Sequence, residues 1–204
     1  MSARVRRFGA RPRVAASLVL AGLLSFEALP AQAAAGSFTD REVVQLSHAG
    51  LVRGSGGLEL HLTSRDDVQA ANAAVATTTC DDCRATAVSF QVVVAGGGPA
   101  TIGADNLAYA ANAECARCES TAVAYQFVVA YQSKVVLTAA GRQRLQAIDA
   151  ALRTVARAGR SNAEVQTAAD GFAAQVVDIL GSEIHLRPSL HKVVRHVDGP
   201  GREG

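Results

Sequence analysis

Four cysteines carry the strongest chemical signal in this 204-residue chain, and they share one spacing: Cys80-x-x-Cys83 and Cys115-x-x-Cys118. Two such thiol pairs can bridge, bind a metal as paired knuckles, or exchange electrons with another dithiol. An even cysteine number in an exported chain favours disulfide stapling. Within-motif bonds, Cys80–Cys83 and Cys115–Cys118, are preferred because a pair across a tight turn lies within bridging reach. Cross-motif bonds, Cys80–Cys115 with Cys83–Cys118 or the crossed set, would instead staple the two segments together. The alternative is a four-thiolate zinc site on Cys80, Cys83, Cys115 and Cys118, since two knuckles of this kind match the ligand spacing of zinc ribbons. Thiol–disulfide exchange needs a stabilised thiolate. Asp81 and Asp82 oppose one in the first motif, and Arg84 offsets them only in part.

Other chemistry is weakly represented. His185, His191 and His196 recur at spacings of six and five, which align on no helix face, and His48 and His61 fall on strand-like segments. The chain contains no His-Glu-x-x-His, phosphate loop, Gly-x-Ser-x-Gly or dinucleotide fingerprint. No catalytic residue and no resident cofactor are therefore expected, zinc being the alternative. The whole chain has 20 basic and 18 acidic side chains, a net +2. That balance gives no electrostatic reason to expect nucleic acid as a partner.

Even this slight basicity belongs to the first 33 residues, which read as a secretory signal peptide. Arg4, Arg6, Arg7, Arg11 and Arg13 precede an apolar run from Val14 to Phe26, and Ala31-Gln32-Ala33 follows Pro30 as a cleavage site. The run is shorter than the roughly 20 apolar residues of a membrane span, and retention as an N-terminal anchor is the alternative. Cleavage leaves 15 basic and 17 acidic groups, a net −2, and no membrane span.

The elements that position the cysteines come from a duplication. The sixteen residues from Cys80 to Ala95 recur from Cys115 to Ala130 with nine identities. Upstream, Asn72-Ala73-Ala74-Val75-Ala76 corresponds to Asn106-Leu107-Ala108-Tyr109-Ala110, with one extra residue before the second motif. After each cysteine pair the residues alternate. Thr86, Val88, Phe90, Val92 and Val94 lie on one parity, matched by Thr121, Val123, Tyr125, Phe127 and Val129. Ala87, Ser89 and Gln91 lie on the other, matched by Ala122, Ala124 and Gln126. β-Branched and aromatic residues at period two mark strands, and the small face suits close approach of another layer.

Each block is predicted to fold as a β-hairpin tipped by its Cys-x-x-Cys. Val75 would then lie opposite Val88 and Asn72 opposite Gln91, with a one-residue bulge near Asn112-Ala113 restoring the Asn106–Gln126 pairing. Ahead of them, 43–52 and 58–62 read as short strands around a flexible Arg53-Gly54-Ser55-Gly56-Gly57 turn.

From Thr138 the apolar period becomes helical. Leu145, Ile148, Leu152 and Val155 form one stripe, and Val165, Ala169, Phe172, Val176 and Ile179 form a second. Gly159 ends the first helix, and Ser161 with Glu164 opens the next as a capping box. Each stripe needs a partner: the other helix, the sheet or another chain. The expected fold class is α+β, an antiparallel sheet of two repeated hairpins followed by a C-terminal helical hairpin. The organisation is 1–33 signal peptide, 40–137 duplicated β domain, 138–181 helical hairpin and 182–204 flexible tail.

The duplicated Asn-x-Ala and Cys-x-x-Cys blocks, over roughly residues 58–157, resemble an actinobacterial exported family of unknown function. They are also similar to an extracytoplasmic segment of proteins described as peptide zinc metalloproteases. The resemblance implies secretion of a stand-alone module. It transfers no protease activity, because neither the zinc-protease motif nor membrane segments occur here. The expectation is a secreted, non-catalytic structural or interaction module stapled by two disulfides, with an unknown protein partner or self-association through the helical hairpin. An exported zinc-binding or thiol–disulfide redox protein is the alternative.

Overall fold

The computed structural model describes residues 37–184 and the backbone of 188–198; residues 1–33, read as a signal peptide, lie outside them. The element order is β1 (Ser37–Leu46), β2 (Val52–Thr63), β3 (Asp67–Thr78), β4 (Arg84–Ala95), β5 (Thr101–Asn112), β6 (Glu119–Tyr131), α1 (Ala139–Arg157), α2 (Asn162–Ser182) and β7 (Pro188–Asp198). Consecutive strands do not pair. They alternate between two sheets, β1-β3-β5 (sheet A) and β2-β4-β6-β7 (sheet B). All pairs are parallel except β6 with β7.

The chain is therefore α+β, as its periodicity indicates, but the antiparallel hairpins are replaced by arches. Each Cys-x-x-Cys carries the backbone from sheet A to sheet B. With the first pass, at residues 47–51 and without cysteines, three coils stack, β1–β2, β3–β4 and β5–β6, in the manner of a short solenoid. The expected Asn72–Gln91 and Val75–Val88 pairings are not made. Instead Asn72 stacks on Asn106, Val75 on Tyr109 and Gln91 on Gln126.

The small parity explains why the arch wins over the hairpin. Ala74, Ala76, Ala108 and Ala110 of sheet A meet Ala85, Ala87, Ala122 and Ala124 of sheet B, all buried. A hairpin would leave these faces without the second layer that their small side chains admit. The large parity of sheet B points the other way. Val88, Phe90, Val92, Tyr125 and Phe127 pack beneath Leu145, Ile148, Leu152, Val165, Val176 and Ile179. Of the three partners open to the helical stripes, two are met: the stripes of α1 and α2 join each other and the large face of sheet B in one core.

Two details of the helical layer follow from local chemistry. The Thr138 hydroxyl accepts from Gly141 N to cap α1, and Ser161 with Glu164 closes a full capping box on α2. Gly159, at φ 63°, ends the first helix and permits the reversal.

The first coil departs from expectation. The run 53–57 is not a turn but part of β2, and the reversal before it falls at residues 47–51. A Cβ on Gly54 would stand 1.8 Å from the Ala156 carbonyl oxygen, so glycine is what lets α1 lie directly on this strand. Asp149 of α1 also accepts a hydrogen bond from Leu58 N at 3.0 Å, occupying part of the strand's outer edge. Residues 188–198, within the segment read as a flexible tail, form β7 against β6. His185 lies outside the described residues, and of the strand bearing His191 and His196 only the backbone is described.

Candidate functional site

The two motifs lie at one end of the sheets, one coil apart. Cys80 is bonded to Cys83 and Cys115 to Cys118, with Cα separations of 5.7 and 5.9 Å. Each bridge thus closes its own arch, the within-motif pairing. A loop this short gives each bond about 2 kcal/mol on the chain-entropy account. With its sulfurs bridged, each motif offers no thiolate. Among the described residues no group of three or more His, Cys, Asp or Glu side chains is placed to hold a metal ion.

The arches are tied to each other. Asp82 N donates to Ala116 O and Glu119 N to Cys83 O, while on the other side Gly50 N donates to Asp81 O and Arg84 N to Leu51 O. Asp82 and Arg117, the third residue of each motif, both adopt positive φ, 57° and 55°. Their side chains pair across the coils through Arg117 Nε to Asp82 Oδ1 at 2.6 Å and Nη2 to Oδ2 at 2.7 Å. That guanidinium holds the Asp82 carboxyl below its ordinary range. The pair is solvent-exposed and contributes little to stability. Glu114, also at positive φ (53°), is the extra residue of the third coil, a position close to the bulge expected at 112–113.

Just beyond the second cysteine of each motif lies a clamp that neither motif announces. Arg84 and Glu119 are register partners at the starts of β4 and β6, joined by an ion pair of 2.7 Å. Glu119 is buried, and its other carboxylate oxygen accepts from Asn162 N at the start of α2. Arg84 donates in turn to the Gly159 carbonyl oxygen. Thr121 donates to the Asn162 side chain, and the Tyr125 hydroxyl to Asp170. The link between the helices is therefore anchored to the residues that follow Cys83 and Cys118.

Between the sheets runs a ladder of buried amides. Asn72 Nδ2 is within donating distance of Asn106 Oδ1 (2.9 Å), Tyr125 O (3.0 Å) and Ser89 O (3.2 Å), and Asn72 Oδ1 accepts from the Ser89 hydroxyl. Gln126 Nε2 donates to Gln91 Oε1 at 2.8 Å, and Gln91 Nε2 donates to Ala71 O at 3.0 Å. These groups satisfy carbonyls that face the interior, as buried polar groups must.

In the first coil the same two register positions hold acids, Asp40 and Glu59. Asp40 pairs with His61 at 3.0 Å, and Phe38 stacks on the imidazole at 4.7 Å. The Asp40 hydrogen bond raises the His61 pKa, and the nearby charges of Asp40 and Glu59 add to the rise against the effect of burial.

The cysteines and the repeated Asn and Gln are visible in the sequence, whereas the clamp and the first-coil acids are not. Arg84 and Glu119 are not identical, so comparing the two blocks discards them, although opposite charge at equivalent positions is itself a signal. Asp40, Glu59 and Leu51 occupy the first-coil equivalents of Asn72, Gln91 and Cys83, and identity alone does not reveal that correspondence.

No helix among the described residues is long and apolar enough to cross a membrane. The bridged cysteines belong with an oxidising, non-cytoplasmic environment. No family model matches the chain, and no curated protein or solved structure matches it.

Proposed function

We propose that this protein is a secreted, non-catalytic structural or interaction module, held in shape by the Cys80–Cys83 and Cys115–Cys118 disulfides. The observation that carries the reading is the occupation of all four sulfurs within their own arches, each arch locking a crossing between the sheets. The polar groups gathered near them have architectural partners: Glu119 on Arg84 and α2, Asn72 and Gln91 on interior carbonyls. The leader-like first 33 residues and the resemblance to exported segments support an address outside the cytoplasm. Its partner in this reading is an unidentified protein or a second copy of this chain. Association through the helical hairpin would have to use the hairpin's outer side, because the apolar stripes lie on sheet B.

Alkylation of the mature protein without reductant, followed by intact mass and zinc determination, tests this. The expected result is no labelled cysteine and no zinc until reductant is added. Four labelled thiols with one zinc per chain would replace the disulfide module by the zinc-binding alternative.

A further inference from the structure

We propose that the two bridges, alike in sequence, differ in chemistry: Cys115–Cys118 is a thiol-exchange site entered at Cys115 by a small dithiol reductant, and Cys80–Cys83 is a protected staple. The proposal rests on the oxidised state argued above and goes beyond it by assigning reactivity to one sulfur.

The two bridges differ in access. Exchange requires a thiolate to reach one sulfur of the bond, so its rate follows exposure of that sulfur. Cys80, Cys83 and Cys118 are 6%, 1% and 9% exposed, whereas Cys115 is partly exposed, its Sγ lying beside Thr78 at 3.8 Å from the carbonyl oxygen and 3.9 Å from the hydroxyl. The cause lies in the stacking. The arch of the second coil is hydrogen-bonded on both sides, to Gly50 and Leu51 of the first coil and to Ala116 and Glu119 of the third. The His48 carbonyl oxygen also lies 3.2 Å from Cys83 Sγ. Among the described residues the third arch has such a neighbour on one side, and the residue inserted at Glu114 lengthens the path into Cys115.

Charge does not separate the bridges: Arg117 inside the second is paired with Asp82 inside the first, and Asp81 Oδ1 accepts from Ala116 N at 2.6 Å, so the inequality rests on access.

The chemistry balances as an ordinary exchange. One thiolate of the reductant attacks Cys115 Sγ; a new S–S bond forms, the Cys115–Cys118 bond breaks, and Cys118 departs as a thiolate that takes a proton from water. The reductant's second thiolate then attacks its own sulfur bound to Cys115. This releases Cys115 as a thiolate, which is protonated in turn, and leaves the reductant as a cyclic disulfide. Two electrons pass from the dithiol to the protein bridge.

The test uses the oxidised mature chain. One portion is alkylated without reductant. The rest is exposed to limiting dithiothreitol, quenched at intervals with N-ethylmaleimide and mapped by peptide mass spectrometry. The expected result is no label in the first portion and, in the second, labelling of Cys115 and Cys118 about tenfold or more faster than of Cys80 and Cys83. Equal rates or the reverse order, from a chain that starts fully oxidised, would overturn the proposal and leave the disulfide module standing. Free thiols in the unreduced portion would remove both.

The point of entry is tested with Cys118→Ser and Cys115→Ser treated with oxidised glutathione. The remaining Cys115 is expected to be glutathionylated about tenfold or more faster than the remaining Cys118. The opposite order would assign entry to Cys118, against the proposal. Should either variant fail to fold, the wild-type rates decide the inequality of the bridges on their own.

Discussion

Replacing Asn72 with Asp would exchange an amide that donates to the Ser89 and Tyr125 carbonyls for a carboxylate that repels both. Asn72 is buried, so the new charge would also lose its water. Asn72→Asp is expected to cost about 3 kcal/mol or more, read from the urea midpoint at pH 7; an unchanged midpoint would contradict the ladder. His61 supplies a second handle. Its pKa is raised chiefly by the Asp40 hydrogen bond, so the pair stabilises the fold fully below the unfolded value of 6.5. That contribution is lost as pH rises through the higher folded value. Stability should therefore fall above about pH 6.5 in the wild type, and His61→Gln should lack that step; a parallel decline in both would dismiss the pair. At this scale the sequence was informative where residues recur. Cys, Asn and Gln stood out because they are identical in two blocks, whereas Asp40 and Glu59 occupy the same positions with different chemistry.

Among the elements, the strands after the two cysteine motifs were readable, β7 was not, and which strands lie side by side was not. A period of two records which side of a strand is buried, and it is the same whether the next strand pairs within one sheet or crosses to another. The Ala-rich parity held the missing information, since a face of small residues needs a second sheet close against it. The glycine-rich segment 53–57 misled for a related reason. Glycine marks turns, but here it marks a strand under the backbone of α1. Gly54→Ala should push α1 off β2, because the added methyl would meet the Ala156 carbonyl. The expected cost is about 1–3 kcal/mol, with faster amide exchange at Leu58, which donates to Asp149 of that helix. A variant with wild-type stability and exchange would show that the helix does not rest there. The helices themselves, with their caps, stripes and intervening glycine, were legible because a helix satisfies its backbone within one segment.

At the scale of the molecule, three layers depend on one another: sheet A on the small face of sheet B, and the helices on its large face. The Arg84–Glu119 clamp ties the helical layer to the arches, so the cysteine motifs brace more than their own turns. The central claim is that these motifs carry the chain between two parallel sheets. Cross-strand nuclear Overhauser effects in the isotope-labelled, oxidised protein test it most directly. Contacts between the Asn72 and Asn106 side-chain amides, and between Val75 and Tyr109, are the result the arches require. Hα–Hα contacts of an antiparallel pair joining 72–78 to 85–91 would return the motifs to hairpin tips and contradict the account.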